Sequence, residues 1–506
     1  MKRLLTLSYL FYFSLLLTIT IQITCSKKTP EDQQETILVR IGDKSISVNE
    51  FLRRAEYTIR PPYCKLDNYI HKKIILNSLI AEKLFALEGE KQSQLLQSEK
   101  FNALMKGLQE QAIRQWLYHE KAYKKVTLDD EEIKKTFRLA GRTYKLAHFS
   151  LSDSTKSKEL ASLLRNQELS FEDAFYELSG SDSLFIKNVA WKDRENTRIH
   201  QALFTDELQN NQILGPIKIS DDQFLFAKIL GWTDRKVITD TDIQRRHNDV
   251  VEYLTDAHAA QIWKEYTGQI MQGKKIEFDR ATFEQIFDLM LPLYFRSNEE
   301  ITDAFSQKMW HDKDVEIILP DMSDKNFRNR PFFTIDDQVW TVGDFAQTLE
   351  SHPLVFRQRR IPKSEFAEQL KLAIVDMVKD QYLNKQAYKE SLDKISLVKR
   401  NTAMWRDSFI ALEQRNEYFK AKGVKQNFQK EYMFVIRDHL NAYVDSLQAK
   451  YSDQIEINMD QFEQLNLTKI DLVVKYTNVP YPMVVPAFPI LTDDTNLEYG
   501  RIMIDR

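Results

Sequence analysis

Residues 39–51 read VRIGDKSISVNEF, and residues 333–345 read FTIDDQVWTVGDF. In ungapped register Ile41 meets Ile335, Asp43 meets Asp337, Ser47 meets Thr341, Val48 meets Val342 and Phe51 meets Phe345. Each stretch opens on a short apolar run, turns at an Asp, runs apolar again and then starts a helical pattern. Ser47 and Thr341 stand where a helix N-cap belongs, with Glu50 and Asp344 three residues on, the spacing of a capping box. A stretch that recurs at long range exposes the plan of the whole chain.

The correspondence continues outward. A proline follows each opening (Pro61 and Pro62; Pro362), then a long helical pattern in which Leu79 matches Met377, Ile80 matches Val378, Glu82 matches Asp380 and Leu84 matches Tyr382. Each copy closes on an amphipathic helix and a short strand, KIEFDRATFEQ (275–285) in one and QIEINMDQFEQ (454–464) in the other. The first copy is interrupted by a segment of different texture, 143–234. The second is not. This divides the chain into copy one of a helical frame (37–142 and 235–280), an insert (143–234), a connector (281–331), copy two (332–465) and a tail (466–506). The expected fold class is mainly α with an α+β insert.

A chain of 506 residues has room for two or three domains. Twelve Gly and thirteen Pro are few for this length and favour long helices. A net charge of −3 from abundant charge of both signs leaves no nucleic-acid footprint. Lys2 and Arg3 precede an apolar run from Leu4 to Ile23, then Cys25, then a polar stretch, which reads as an export signal (1–25) and a tether (26–36). The run is long enough that an uncleaved membrane anchor stays open beside simple cleavage. Cys64 is the one other thiol, so no internal disulfide is expected if Cys25 is consumed. The nine His form no HExxH, the two Cys no CxxC, and no glycine-rich phosphate loop or G-x-S-x-G elbow occurs. No metal or cofactor is expected.

Within the insert, YKLAHFSLSD reads as a strand, SKELASLLRNQ and SFEDAFYEL as helices (the second capped by Ser170, with Asp173 three on), and LGPIKI and DQFLFAKIL as closing strands. A helix is expected near Glu299 to Trp310. The tail carries Pro480, Pro482, Pro486 and Pro489 among apolar residues, which forbids helix and predicts an extended strap on the body, with a docking arm as the alternative.

Cys25 after an apolar run and before a polar tether resembles a bacterial lipoprotein signal, although Gln22, Ile23 and Thr24 depart from the usual small residues; the resemblance implies lipidation at Cys25. The insert's order, with EDAFYELS, a Trp, LGPIKI and DQFLFAKIL, resembles a parvulin-type peptidyl-prolyl isomerase domain, of FKBP-like topology. The frame resembles the SurA, PpiC and PrsA group of exported foldases, implying a duplicated SurA-N-like helical body. Carried over, the family's first catalytic His falls on His148 in AHFSL, its Gly-Trp on Ala190 and Trp191, and its Gly-Pro on Gly215 and Pro216. The pocket Met falls on Thr197 and the pocket Phe on Gln201, with Phe204 close by. The second His falls on Leu225, and the glycine-rich loop before the Trp is replaced by SGSDSLFIKNVA.

The resemblance therefore implies an exported, lipid-anchored foldase of the bacterial periplasm or cell envelope. It would bind unfolded polypeptides, outer-membrane proteins among them, with Trp191, Thr197, Gln201, Phe204 and Leu225 at the substrate face. His148 would stand without its partner imidazole, so weak or absent isomerase activity is expected. The alternatives are an active isomerase and a structural lipoprotein subunit of an envelope assembly. Candidate client contacts in the frame are Tyr57, Tyr63, Phe85, Phe345 and Tyr382, for each of which packing inside the core is the commoner role.

Overall fold

The computed structural model describes residues 36–180, 183–193, 196–219, 223–295, 321–358, 361–467 and 485–503. In chain order the elements are β1 (Ile37–Ile41), β2 (Lys44–Ser47), α1 (Val48–Glu56), α2 (Tyr69–Gly89), α3 (Glu99–Lys121), α4 (Asp130–Leu139), β3 (Arg142–Leu151), α5 (Ser154–Arg165), α6 (Phe171–Ser179), β4 (Ile186–Ala190), α7 (Thr197–Phe204), β5 (Ile213–Lys218), β6 (Phe224–Asp234), α8 (Asp240–Met271) and β7 (Glu277–Phe278). There follow α9 (Arg280–Tyr294), α10 (Lys325–Arg328), β8 (Pro331–Ile335), β9 (Gln338–Thr341), α11 (Val342–Ser351), α12 (Phe366–Lys389), α13 (Ser396–Lys422), α14 (Phe428–Val435), α15 (Asn441–Tyr451), β10 (Ile455–Ile457), α16 (Met459–Gln464) and β11 (Arg501–Ile502). The described chain is mainly helical with three small sheets, and it divides into two compact units. One holds 36–117, 271–467 and 485–503 of the described residues, the other 118–270.

In the first unit the two quoted stretches are β-hairpins paired in the same register. Ile37 faces Ser47 as Pro331 faces Thr341, Val39 faces Ile46 as Phe333 faces Trp340, and both hairpins shift register after the first pair. Each hairpin receives its third strand from the other copy: β10 pairs with β1 (Val39 opposite Ile457), and β7 pairs with β8 (Phe333 opposite Phe278). The exits match as well, with Asn458 N–H donating to Leu38 O at 2.9 Å and Asp279 N–H to Phe332 O at 2.8 Å. Both of those residues then cap the next helix, Asn458 over Gln461 and Asp279 over Thr282.

The caps differ in an informative way. Thr341 and Asp344 close a full capping box. Ser47 caps Glu50 N–H, but the Glu50 carboxylate turns to Lys83 at 2.9 Å. Lys83 also reaches Asp407 Oδ2 at 3.1 Å, Lys44 joins Asp407 at 2.7 Å and Glu90 at 2.9 Å, and Arg406 meets Glu90 at 2.5 Å. Burial alone would depress the Lys83 ammonium, yet Glu50, Asp407 and Glu82 outweigh it and hold its pKa above the ordinary range. Burial would raise Asp407, but Lys83 and Lys44 hold it below the usual carboxylate value. Burial dominates at Glu50 and raises its pKa despite Lys83. A second buried pair, Arg54 with Glu82, is bidentate at 2.8 and 2.7 Å.

The described part of the tail is extended and packs into the same core through Phe488, Ile490, Leu491 and Leu497. Asn77 and Ser78 on α2 donate to the carbonyls of Asp494 and Thr492 at 3.0 and 3.3 Å, and Arg54 donates to Ala487 O at 2.8 Å. β11 then adds parallel to β10. The helix expected near Glu299 to Trp310 lies outside the described residues.

The second unit is built on an antiparallel sheet of order β4-β3-β6-β5. α5 and α6 cover one face through Ala147, Phe149, Leu160, Leu164, Phe171, Phe175 and Phe226. On the other, Tyr144, Leu146 and Ile229 pack with Leu203 and Phe204 of α7 and with Val250 and Leu254 of α8. Ser170 caps α6 by accepting from Asp173 N–H at 3.0 Å. The loop expected at SGSDSLFIKNVA contains a strand instead: alternation over IKNVA buries Val189, which is enough for β4 to dock on β3.

Replacing Lys83 with Met leaves two buried carboxylates without their shared cation, a class of change costing roughly 3–5 kcal/mol. In wild type the stability supplied by Asp407 is present at neutral pH and lost as pH falls through its lowered folded value. In Lys83→Met, Glu50 loses the cation it meets at 2.9 Å and Asp407 keeps Lys44 alone of its two, so both carboxyls take up protons more readily. The deficit against wild type, read from urea unfolding, is therefore expected to be large at pH 7 and to narrow at pH 4.

Candidate functional site

His148 lies on β3, central in its sheet, opposite Ala227 of β6. Its neighbour Ser150 faces Leu225, and Leu225 faces Ile217 of β5. Residues opposite one another, or two apart on one strand, share a face. The register therefore gathers His148, Ser150, Leu225, Ala227 and Ile217 on one surface of the sheet. Leu225 and Ala227 are buried, Ile217 is half-buried and Ser150 is exposed. His148 is half-buried, its backbone N–H donates to Phe185 O at 3.0 Å, and its ring lies 6.5 Å from that of Phe185. Burial lowers the imidazole pKa below its ordinary value near 6.5, and the Lys187 ammonium lowers it further.

α7, which Asn196 caps by accepting from Arg198 and Ile199 N–H, is set on this side of the sheet by two ties: Asn196 Nδ2 donates to Ile219 O at 3.3 Å, and the Arg198 guanidinium donates to Lys218 O at 2.6 Å. Thr197 and Gln201 point to solvent, whereas Phe204 is buried and packs edge-on against Tyr144 at 5.5 Å. Trp191 is buried too, ringed by His200, Phe204 and Tyr253 at 4.7, 5.4 and 4.9 Å. The structure thus brings His148 and Leu225 together on one face and turns Trp191 and Phe204 into the interior. Gly215 has φ 134, and a Cβ there would come within 2.8 Å of Leu225 O and 2.9 Å of the Phe226 ring, so only glycine fits this close approach of β5 to β6.

Sequence reading passed over His200. It is buried, and its Nε2 lies 2.9 Å from Trp191 O. The signal was present in its spacing: His200 falls three and four residues before Leu203 and Phe204, on the inward stripe of α7. Of the frame aromatics, Phe85 and Phe345 are fully buried, Tyr382 donates its hydroxyl to Asp336 at 2.6 Å, and Tyr63 lies 6.2 Å from Tyr432. Tyr57 is half-buried. Cys25 lies outside the described residues. Cys64 is a buried free thiol. Among the described residues no group of three or more His, Cys, Asp or Glu could hold a metal ion, and no helix is long and apolar enough to cross a membrane.

No family model matches the chain, and no curated protein does. Among solved structures, PrsA from Bacillus subtilis is 18% identical over 38% of this chain and 82% of its own, with a TM-score of 0.14. The foldase protein PrsA from Streptococcus pneumoniae is 14% identical over 43% and 91%, with a TM-score of 0.16.

The His148 environment gives a direct expectation. An imidazole whose protonated form is disfavoured by the fold costs stability as pH falls below its unfolded value near 6.5. The His148 ring resonance is expected to titrate by NMR at a lower pH than a free histidine, and Lys187→Glu is expected to move that midpoint upward.

Proposed function

We propose that the chain is an exported foldase or chaperone for unfolded envelope and secreted polypeptides. Its parvulin-type unit (143–234) would sit within a duplicated, SurA-N-like helical frame, and a lipid on Cys25 would hold it at the membrane. The frame half of the reading is supported by the two hairpins, which share register, bulge, cap position and exit hydrogen bond. The functional half is carried by one observation: His148, half-buried, stands on a sheet face whose opposite and diagonal positions are Ala227 and Leu225.

Rotation about an X–Pro bond meets a barrier near 18–20 kcal/mol set by amide resonance. A catalyst lowers it only by binding the twisted amide more tightly than the planar one. The His148 imidazole stands beside the aliphatic Ala227 and Leu225, with Ser150 and Lys187 as its polar neighbours and no second imidazole among the described residues of that face, so the differential is expected to be small. What the face retains is an apolar platform with one polar edge, suited to holding a chain segment. Isomerisation as the main activity is disfavoured by Leu225. A structural subunit docking through its tail is disfavoured because Phe488, Ile490 and Leu491 lie inside the core.

The mature protein, from Ser26 onward, is expected to suppress aggregation of a diluted unfolded outer-membrane protein at near-equimolar ratio without nucleotide. His148→Ala is expected to suppress equally well, and a proline-peptide assay should show both proteins within about twofold of the uncatalysed rate. Failure to suppress would remove the foldase reading. A catalysed rate that vanishes in His148→Ala would overturn the argument from Leu225.

A further inference from the structure

β4 is an edge strand, with β3 on one side and no strand on the other among the described residues. His148 N–H donates to Phe185 O, so Phe185 turns its backbone toward β3. By strand alternation Lys187 and Val189 do the same, opposite Leu146 and Tyr144. Ile186, Asn188 and Ala190 then aim their N–H and C=O groups outward. Ala190 is occupied at both, its N–H donating to Asp193 Oδ2 at 2.9 Å and its C=O accepting from Asp193 N–H at 2.9 Å. The Asp193 turn closes one end of the edge and leaves the stretch at Ile186 and Asn188 open.

That open stretch begins beside apolar side chains that the fold leaves uncovered. Phe185 and Ile186 are 52% and 53% exposed, and Tyr176 and Leu178 on the last turn of α6 are 41% and 49% exposed. Phe175 ties them into one corner, with its ring 5.7 Å from Tyr176 and 5.1 Å from Phe185. An edge that carries unpaired main-chain groups beside apolar side chains is a template for another strand unless it is blocked. Among the described residues the block covers Ala190.

We propose that the β4 edge captures an extended, apolar segment of an unfolded polypeptide by strand addition, pairing main chain to main chain at Ile186 and Asn188. This rests on the foldase reading and names how the parvulin-type unit would hold its client. The size of the surface selects the occupant. Half-exposed side chains of this kind offer together roughly 300–400 Å², against the ~800 Å² per partner of a stable folded interface. A second folded copy is too large a partner for so small a patch, whereas a single extended segment matches it and draws its affinity from backbone hydrogen bonds. A strand added there runs one strand beyond β3 and passes the Phe185 ring that neighbours His148.

The test uses the mature protein and an end-blocked, proline-free octapeptide of alternating Val and Thr, with a copy N-methylated at alternate amides as the control. Peptide binding is expected to slow hydrogen exchange at the Ile186 and Asn188 amides. The N-methylated peptide is expected to bind at least tenfold more weakly. Ile186→Pro, which removes an outward N–H, should lose binding to the same degree. Equal affinity for the two peptides, no binding of either, or exchange protection elsewhere with Ile186 and Asn188 unchanged would overturn the proposal. The N-methylated peptide leaves the protein unaltered, so the test holds even if Ile186→Pro unfolds. Aggregation suppression without edge protection sinks strand capture alone, and edge protection without suppression sinks the foldase reading alone.

Discussion

The exchange of third strands governs the rest of the helical unit. Neither hairpin finishes its own sheet: β1 waits for β10 and β8 for β7. Two main-chain bonds, Asn458 to Leu38 and Asp279 to Phe332, fix the same exit in both sheets. The β8–β7 closure is local in sequence, whereas the β1–β10 closure spans most of the chain. Entropy alone makes this less costly than it looks, because each doubling of a loop adds only about 0.6 kcal/mol. The heavier consequence is kinetic. Until Ile457 arrives, β1 presents an unpaired edge, and the apolar residues of α2 lack the cover that α15 and the tail provide.

Exchange also explains where the buried charges fall. Lys83 and Glu50 belong to the first copy and Asp407 to the second, and they meet because α13 packs along α2. A buried ion network is weak evidence for stability, since desolvation offsets most of its attraction. It is stronger evidence for specificity, because any other register of α13 on α2 would strand Lys83 or Asp407 in apolar surroundings. Glu82 is held by Arg54, whereas Asp380, which aligns with Glu82 in sequence, is met by Arg114 at 3.3 Å and His352 at 3.0 Å. The two hairpins thus share register while the helices that follow them differ in charge partners.

The parts legible in the sequence were those written locally. The N-caps at Ser47, Thr341 and Ser170, the hairpins, and the strands containing His148 and Leu225 all follow from short-range spacing that neighbouring residues enforce. Two features were not legible. β4 carries no strand signal because IKNVA buries only Val189, so its alternation is nearly silent and its pairing is decided by β3. The strand exchange was invisible because KIEF and QIEI are equally good third strands for either hairpin. Three-dimensional connection, not composition, makes the choice. Phe204 was expected near the substrate face and is buried against Tyr144, because the stripe containing His200, Leu203 and Phe204 rotates α7 inward.

Tyr144, Leu146, Ile229 and Phe204 form one continuous core beneath α7 and α8. Substitution there carries the full cost of a cavity or a clash. Farther along the same face His148 is half-buried, while Leu225 and Ala227 are buried beside it. Burial first and the Lys187 ammonium second both disfavour the charged form of His148, which fits its place beside the aliphatic Leu225 and Ala227.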